Sequence, residues 1–372
     1  MYYLIDKATE YAHRAVAADK KGEYEKAIRY YKAAIDLFVK FLKLYPDNSM
    51  AQVYRELIRK YRERVKILER NLTRVTASGS NGSSDDVEVI IFNGSGGPKF
   101  KDLVDLEEVK RALKRAVIYP IRSPHLFPLG WPKGILLFGP PGCGKTLISM
   151  ALANEVGAVL INISPATIMS KWLGEAEKNV ARVFKKARET ARSGRPVIIF
   201  IDEVDALFQE YSDEVGGEKR VRNQFLMEMD GLKAKEDIKL PLFVIGATNK
   251  PWKLDIGFIR RFDKRIYVKP PDRTVRKKLF EYYIGMLAQS YDISGVDFDK
   301  LADMTENYSP DDIFKIVREV QSNLAEEYHE KGMGKRVITT EDFIEVIKRR
   351  KPSIDPQYLE AYKAWNEKYG AE

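Results

Sequence analysis

Cysteine is almost absent from this chain. The single thiol, Cys143, excludes an internal disulfide framework. Histidine is nearly as scarce, and the three residues at 13, 125 and 329 lie too far apart in sequence to suggest a metal site. Long apolar runs are also missing. The strongest is as short as Val197 to Ile201, well below the roughly 18 residues that a membrane-spanning helix needs. The opening Met1-Tyr2-Tyr3-Leu4-Ile5-Asp6-Lys7 lacks the charged head and apolar body of a secretory signal. Together these absences lead us to expect a soluble protein of the cytoplasm, touching membranes only indirectly.

The chain has ample apolar material, 44% of 372 residues, for two or three packed units. Its net charge of +9 is uneven: residues 1–75 hold 17 Lys/Arg against 10 Asp/Glu, a balance of +7 that leaves +2 for the rest. A basic N-terminal module fits the docking of an acidic protein partner better than a nucleic-acid groove across the whole molecule, and no direct nucleic-acid binding is expected.

Residues 1–75 read as an antiparallel bundle of three amphipathic helices. Apolar positions recur at three and four through Ala8, Tyr11, Ala12, Ala15 and Val16, then Ala27, Ile28, Tyr31, Ala34, Ile35, Phe38 and Leu42. A third series runs Tyr54, Leu57, Ile58, Tyr61, Val65, Leu68 and Leu72. Residues 76–97, rich in Gly, Ser and Asn, read as a flexible linker with a random-coil span of roughly 25 Å. Within it, the apolar stretch Val87 to Phe92 suits either an added edge strand or a docking segment.

From residue 98 to 270, short apolar runs alternate with helical stretches, the pattern of a five-stranded parallel α/β sheet with crossover helices. The strands are expected at Ile135–Phe138, Val159–Ile163, Val197–Ile201, Leu242–Ala247 and Arg265–Val268. Residues 271–350 read as a smaller, all-helical lid and 351–372 as a terminal helix from Pro356 to Tyr369.

Gly139-Pro140-Pro141-Gly142-Cys143-Gly144-Lys145-Thr146 follows an apolar strand and precedes a helix beginning at Leu147. This is the context in which a glycine-rich loop cradles a nucleoside triphosphate with its backbone N–H groups. Lys145 should reach the β- and γ-phosphates, and Thr146 should place its hydroxyl on Mg2+. Asp202 and Glu203 end the strand at 197–201, the first to support the metal and the second to polarise the attacking water. Asn249 ends the next strand, in reach of the γ-phosphate or that water. Arg260 and Arg261 suit the charge that develops on a phosphoryl group in transfer. With Cys143 inside the loop, alkylation is expected to block nucleotide binding, and ATP to protect against it.

These motifs carry a family resemblance. Gly139 to Thr146, Ile201-Asp202-Glu203-Val204-Asp205, Ala247-Thr248-Asn249 and Arg260-Arg261-Phe262-Asp263 resemble the AAA ATPases. Ser170-Lys171-Trp172-Leu173-Gly174-Glu175 and Pro251-Trp252-Lys253-Leu254-Asp255 narrow the likeness to the meiotic clade. The bundle, with Gly22-Glu23-Tyr24-Glu25-Lys26-Ala27 and Tyr31-Lys32-Ala33-Ala34, resembles a microtubule-interacting and trafficking (MIT) domain. The whole is similar to the vacuolar-protein-sorting ATPases that disassemble ESCRT-III filaments, especially their archaeal cell-division form.

The resemblance implies a homo-hexameric ring that hydrolyses ATP with Mg2+ between subunits, so that Arg260 and Arg261 act on a neighbour's nucleotide. It implies that Lys171, Trp172 and Leu173, with Gly216, Gly217 and Glu218 in a second loop, line a pore that pulls polypeptide. It also implies that tails of ESCRT-III-like filament proteins dock on the bundle, where Arg55, Arg59, Arg62 and Lys66 suit acidic flanks. A microtubule-severing ATPase and an ATP-regulated adaptor are the alternatives. The sequence departs from the family at Asp105-Leu106, where Gly-Leu is usual, and at Ser309-Pro310-Asp311-Asp312, where the lid usually reads Ser-Gly-Ala-Asp. Between Glu330 and Thr339 there is no room for an inserted β-domain.

Overall fold

The computed structural model describes residues 7–9, 11, 12, 14, 15, 24–44, 57, 58, 61, 65, 88–91, 97–163, 176–208, 216–234, 237–330 and 337–371. The chain divides into two compact units, Met1–Asp85 and Asp86–Glu372.

In the first unit, helix α1 spans Tyr24–Leu44. Its buried residues Tyr31, Ala34, Ile35 and Phe38 recur at three and four, so they share one face. That face meets Ala8, Ala12 and Ala15 from the upstream segment and Ile58 and Val65 from the downstream one. The three small alanines let backbones approach, and the Tyr31 and Tyr61 rings close the contact at 5.3 Å. Arg55, Arg59, Arg62 and Lys66, the candidates for acidic flanks, lie outside the described residues, as do residues 76–87 and 92–96 of the expected linker; its residues Glu88–Ile91 are a strand and not flexible linker.

The second unit is built on a six-stranded sheet: β1 (Glu88–Ile91), β2 (Gly134–Phe138), β3 (Val159–Ile163), β4 (Val197–Ile201), β5 (Leu242–Thr248) and β6 (Lys264–Tyr267), in the order β1-β3-β4-β5-β2-β6. The five strands β2 to β6 run parallel. The apolar stretch at residues 87–92 supplies β1, an antiparallel edge strand on β3. Strand residues alternate between the two faces. Leu136, Phe138, Ile199 and Ile201 join one apolar cluster, with helices α4 (Ala176–Arg192) and α5 (Gly216–Gly231). Ile135, Leu137, Ile198 and Phe200 join the other, with α2 (Glu107–Leu113) and α3 (Lys145–Glu155). Covered on both faces, these strands can be nearly continuous Val, Ile and Leu.

The lid packs α6 (Arg273–Gly285), α7 (Phe298–Met304), α8 (Pro310–Glu330) and α9 (Thr340–Arg349) around Phe280, Leu301, Ile313, Ile316, Ile338 and Phe343. It is not all helical, as the sequence reading expected. The short strands β7 (Asp292–Gly295) and β8 (Val337–Thr339) pair in parallel at its edge. Strands of three and four residues, β7 with polar Asp292 and Ser294, are too brief to show an alternation.

The last helix, α10 (Gln357–Tyr369), returns to the sheet and buries Tyr362 and Trp365 in the large core. Beyond it, Ala371 exchanges two backbone hydrogen bonds with Arg265 of β6, at 2.9 and 3.0 Å. The terminal segment is thus an integral part of the sheet's core.

Candidate active site

The ends of β2, β4 and β5 lie side by side, since Phe138 pairs with Thr248 and Ile201 with Gly246. Whatever follows those three strands is therefore gathered at one edge. Following β2 is the glycine-rich loop. Gly139, Gly142 and Gly144 all take positive φ, which an L side chain adopts only with strain. At Gly142 space excludes a side chain as well, because a Cβ there would stand 2.4 Å from the Ser309 hydroxyl. Pro140 and Pro141 fill the first turn, and α3 starts directly after Gly144.

Lys145 lies in the first turn of α3 and is buried. Its Nζ donates to the carbonyls of Gly139 and Pro140, both at 2.8 Å. Burial pulls this ammonium down to about 8, with partial compensation from nearby Asp202 and Asp205. Thr146 Oγ1 donates to Asp202 Oδ2 at 2.8 Å. Leu147 is 41% exposed, and Cys143 is buried. Burial pushes the Cys143 thiol up to about 12.

Asp202 and Glu203 follow β4. Asp202 Oδ1 accepts the backbone N–H of Glu203 at 3.0 Å. Glu203 itself is exposed and holds φ of 49°, a strained conformation of the kind that clusters at functional sites. Asn249 follows β5, and its amide oxygen is buried without a hydrogen-bond partner. An acceptor left in this state fits an incoming O–H donor.

These residues fit a magnesium–triphosphate. The donor set holds one ammonium among phosphate-loop carbonyls, one hydroxyl beside one carboxylate, and a second carboxylate free of the first. Among the described residues no cluster of His, Cys, Asp and Glu could hold a metal by itself, so magnesium would be held jointly by Thr146, Asp202 and phosphate oxygens.

Arg260 and Arg261 are not brought to this edge. They precede β6, which runs parallel to β2 with Lys264 opposite Ile135. They therefore sit at the opposite edge of the sheet, about 13 Å away along β2 at the usual rise per residue. Arg261 donates to Asp230 at 2.9 and 3.1 Å and to the Gly257 carbonyl at 2.9 Å. Asp263 fixes the same turn, accepting from the backbone of Lys133 at 3.0 Å and from Lys233 Nζ at 2.6 Å. Arg260 is exposed.

Lys171, Trp172 and Leu173 lie outside the described residues. Gly216, Gly217 and Glu218 form the first turn of α5.

The sequence reading gave no role to Asp205, Ser353 or Tyr362, and it did not foresee how the lid motif meets the loop. Asp205 accepts the Thr248 hydroxyl at 2.6 Å and so fixes the end of β5. The lid's unusual Ser-Pro-Asp-Asp touches the phosphate loop through its backbone, as Asp311 N–H donates to the Gly142 carbonyl at 3.3 Å. Asp312 there accepts from Ser309 Oγ at 2.8 Å and Ser353 Oγ at 2.5 Å, tying the start of α8 to the segment before α10. Tyr362 donates its hydroxyl to the Asn249 carbonyl at 2.5 Å. An adjacent carboxylate in the Asp202–Asp205 run could have pointed to the first; nothing local marks Tyr362 or Ser353.

Comparison with known proteins gives three family-model matches. MIT (microtubule interacting and transport) domain matches residues 5–70, ATPase family associated with various cellular activities (AAA) matches 135–270, and Vps4 C terminal oligomerisation domain matches 323–370. The chain is 47% identical over 372 residues to cell division protein C of Sulfolobus acidocaldarius, covering 99% of this chain and 98% of that one. It is 32% identical to vacuolar protein sorting-associated protein 4 of Dictyostelium discoideum, covering 85% and 77%. Among solved structures, the AAA domain of FIGL-1 in complex with ADP matches with a TM-score of 0.64 at 32% identity, over 78% of this chain and 95% of that one.

Proposed function

Because this chain is an ATPase of the AAA family, in the group of cell division protein C and vacuolar protein sorting-associated protein 4, we propose that it disassembles ESCRT-III-like filaments during cell division as a homo-hexameric ring. Filament-protein tails dock on the MIT domain, and the ring pulls their polypeptide through its pore with Lys171, Trp172 and Leu173, seconded by Gly216, Gly217 and Glu218. Those partners recruit the ring to the division site; among the described residues no helix is long and apolar enough to cross a membrane.

One observation carries the reading: the phosphate loop and the arginine pair sit at opposite edges of one sheet. A hydrolytic site completed by Arg260 and Arg261 then needs a second copy of the chain, whose arginine edge faces this chain's phosphate edge. A closed ring satisfies every such edge.

At the site, Lys145 leaves its two loop carbonyls for the phosphates. Thr146 and Asp202 hold Mg2+, which when bound neutralises phosphate charge. Glu203 orients a water and takes its proton as the oxygen bonds to the γ-phosphorus, while the bond to the ADP oxygen breaks. Asn249 accepts from the same water, and the neighbour's arginines stabilise the charge on the transferring group.

The test is filament disassembly, followed by light scattering of a polymerised ESCRT-III-like protein. Wild-type chain with ATP should clear the signal. Trp172→Ala should keep most ATP turnover and lose clearance; clearance that survives this change would remove the pore from the mechanism.

A further inference from the structure

Asn249 is held from an unexpected direction. It stands at the end of β5, between residues that are held by hydrogen bonds. The Thr248 hydroxyl bonds Asp205 at 2.6 Å, and the Thr248 carbonyl accepts the Gly139 N–H at 3.3 Å. The Lys250 N–H returns to the Thr248 hydroxyl at 2.9 Å. The carbonyl of Asn249 is held as well. It is taken by Tyr362, 113 residues later in sequence, at 2.5 Å.

Tyr362 cannot easily give way. It is only 3% exposed. Its ring lies 5.1 Å from Trp252 and 5.9 Å from Tyr267, and Tyr267 stacks at 5.3 Å on Phe138, the residue before the phosphate loop. Trp365, one turn later on α10, meets Phe138 edge-on at 4.4 Å. Hence one face of α10 touches both the strand that carries the phosphate loop and the peptide that carries Asn249. The Asn249 amide oxygen, meanwhile, is buried and unpartnered.

We propose that Tyr362 is a positioning residue for ATP hydrolysis, its hydroxyl clamping the Asn249 peptide so that the side-chain amide stays aimed at the attacking water. The C-terminal helix is then part of the hydrolytic site as well as of the assembly region that its family model names. The clamp acts on the chemical step and not on nucleotide affinity, because Tyr362 is hydrogen-bonded to the Asn249 backbone, while Lys145 and the phosphate loop have their own supports. The proposal rests on the reading of Asn249 as a water-orienting residue.

Tyr362→Phe keeps the ring and its packing and deletes one oxygen. In the full chain with ATP and Mg2+ it should lower kcat about tenfold, the order expected when a reacting group is misaligned by a fraction of an ångström. The dissociation constant for a fluorescent ATP analogue, the ring mass by light scattering and the melting temperature should change little. Asn249→Ala should lower kcat at least as far, and adding Tyr362→Phe to it should cost almost nothing more, since the two act as one unit.

An unchanged kcat in Tyr362→Phe, with Asn249→Ala impaired, overturns the clamp and leaves the Asn249 reading standing. Losses that multiply in the double variant overturn it too, because they place Tyr362 in a separate role. Normal turnover in Asn249→Ala removes the water-orienting residue and the proposal with it.

Discussion

The Thr146 hydroxyl and the Asp202 carboxylate are joined at 2.8 Å across a sequence separation of 56 residues, which brings a phosphate loop and a strand end into one site. The neighbouring Glu203 N–H donates to the other oxygen of Asp202, so the Asp202 carboxylate is committed and the Glu203 carboxylate is left for water. Glu203→Gln keeps the size and the backbone and removes the base. It should bind a fluorescent ATP analogue as wild type does while phosphate release falls by a hundredfold or more, roughly the share general-base catalysis contributes. Normal phosphate release in this variant would take Glu203 out of the reaction.

Lys145 gives a pH signature. Its folded-state value of about 8 lies below the ordinary 10.5 because burial penalises the charged form. Between those limits the unfolded chain binds more protons than the folded one, so this group makes stability rise with pH across that window. A bound triphosphate favours the ammonium and reverses the deficit. ATP binding near pH 8 should therefore take up a fraction of a proton, read by calorimetry in two buffers of different ionisation enthalpy. Identical enthalpies in both would contradict it.

Cys143 alters an expectation drawn from its place in the phosphate loop. Alkylation was expected to block nucleotide binding, yet the thiol is 2% exposed and pushed up to about 12, away from the reactive thiolate. In the native chain at pH 8 it should react with a disulfide reagent roughly a hundredfold or more slower than in denaturant. Fast native labelling, with loss of nucleotide binding, would restore the original expectation.

Much of this was readable before the structure. Val197–Ile201 ends in the structure where its apolar run ends, because a strand covered on both faces is nearly continuously apolar and the polar Asp202 marks its exit. The converging strand ends then follow from parallel topology. What resisted reading depends on distant partners. Glu88–Ile91 form an edge strand only because β3 offers a free edge. Tyr362 and Trp365 have the spacing of any amphipathic helix, and nothing near them says that their apolar face returns to Phe138. Asp105 and Leu106, with φ of 60° and 63°, take a conformation that sequence propensity argues against.

That last pair yields a stability prediction. The left-handed region costs an ordinary L-residue about 1–2 kcal/mol, and Asp105 occupies it at an exposed position between Val104, which packs on the lid core, and Leu106, which packs on the large core. Asp105→Gly relieves the strain, gives up only a 3.9 Å ion pair with Lys278, and should raise the unfolding midpoint by an amount corresponding to about 1 kcal/mol or less. A lowered midpoint would mean that the aspartate side chain supports this bend.

The opposed edges of the sheet make a prediction that only an assembly can satisfy. Arg260→Ala should bind ATP and fail to turn it over, with a loss of roughly a thousandfold if it acts as an arginine finger. Arg261→Ala loses in addition the pair with Asp230, so its unfolding midpoint should also fall, which makes Arg260 the cleaner variant. Glu203→Gln is inactive for a different reason, since its own site lacks the base while its arginines are intact. Mixed in one ring, an Arg260→Ala subunit supplies a complete Glu203 site and its Glu203→Gln neighbour supplies the missing guanidinium. Turnover should therefore reappear on mixing two inactive proteins, rise with their concentration and vanish on dilution below the assembly threshold. If the arginine acted on its own chain's nucleotide, every subunit in the mixture would lack one essential group, and no ratio of the two would recover activity.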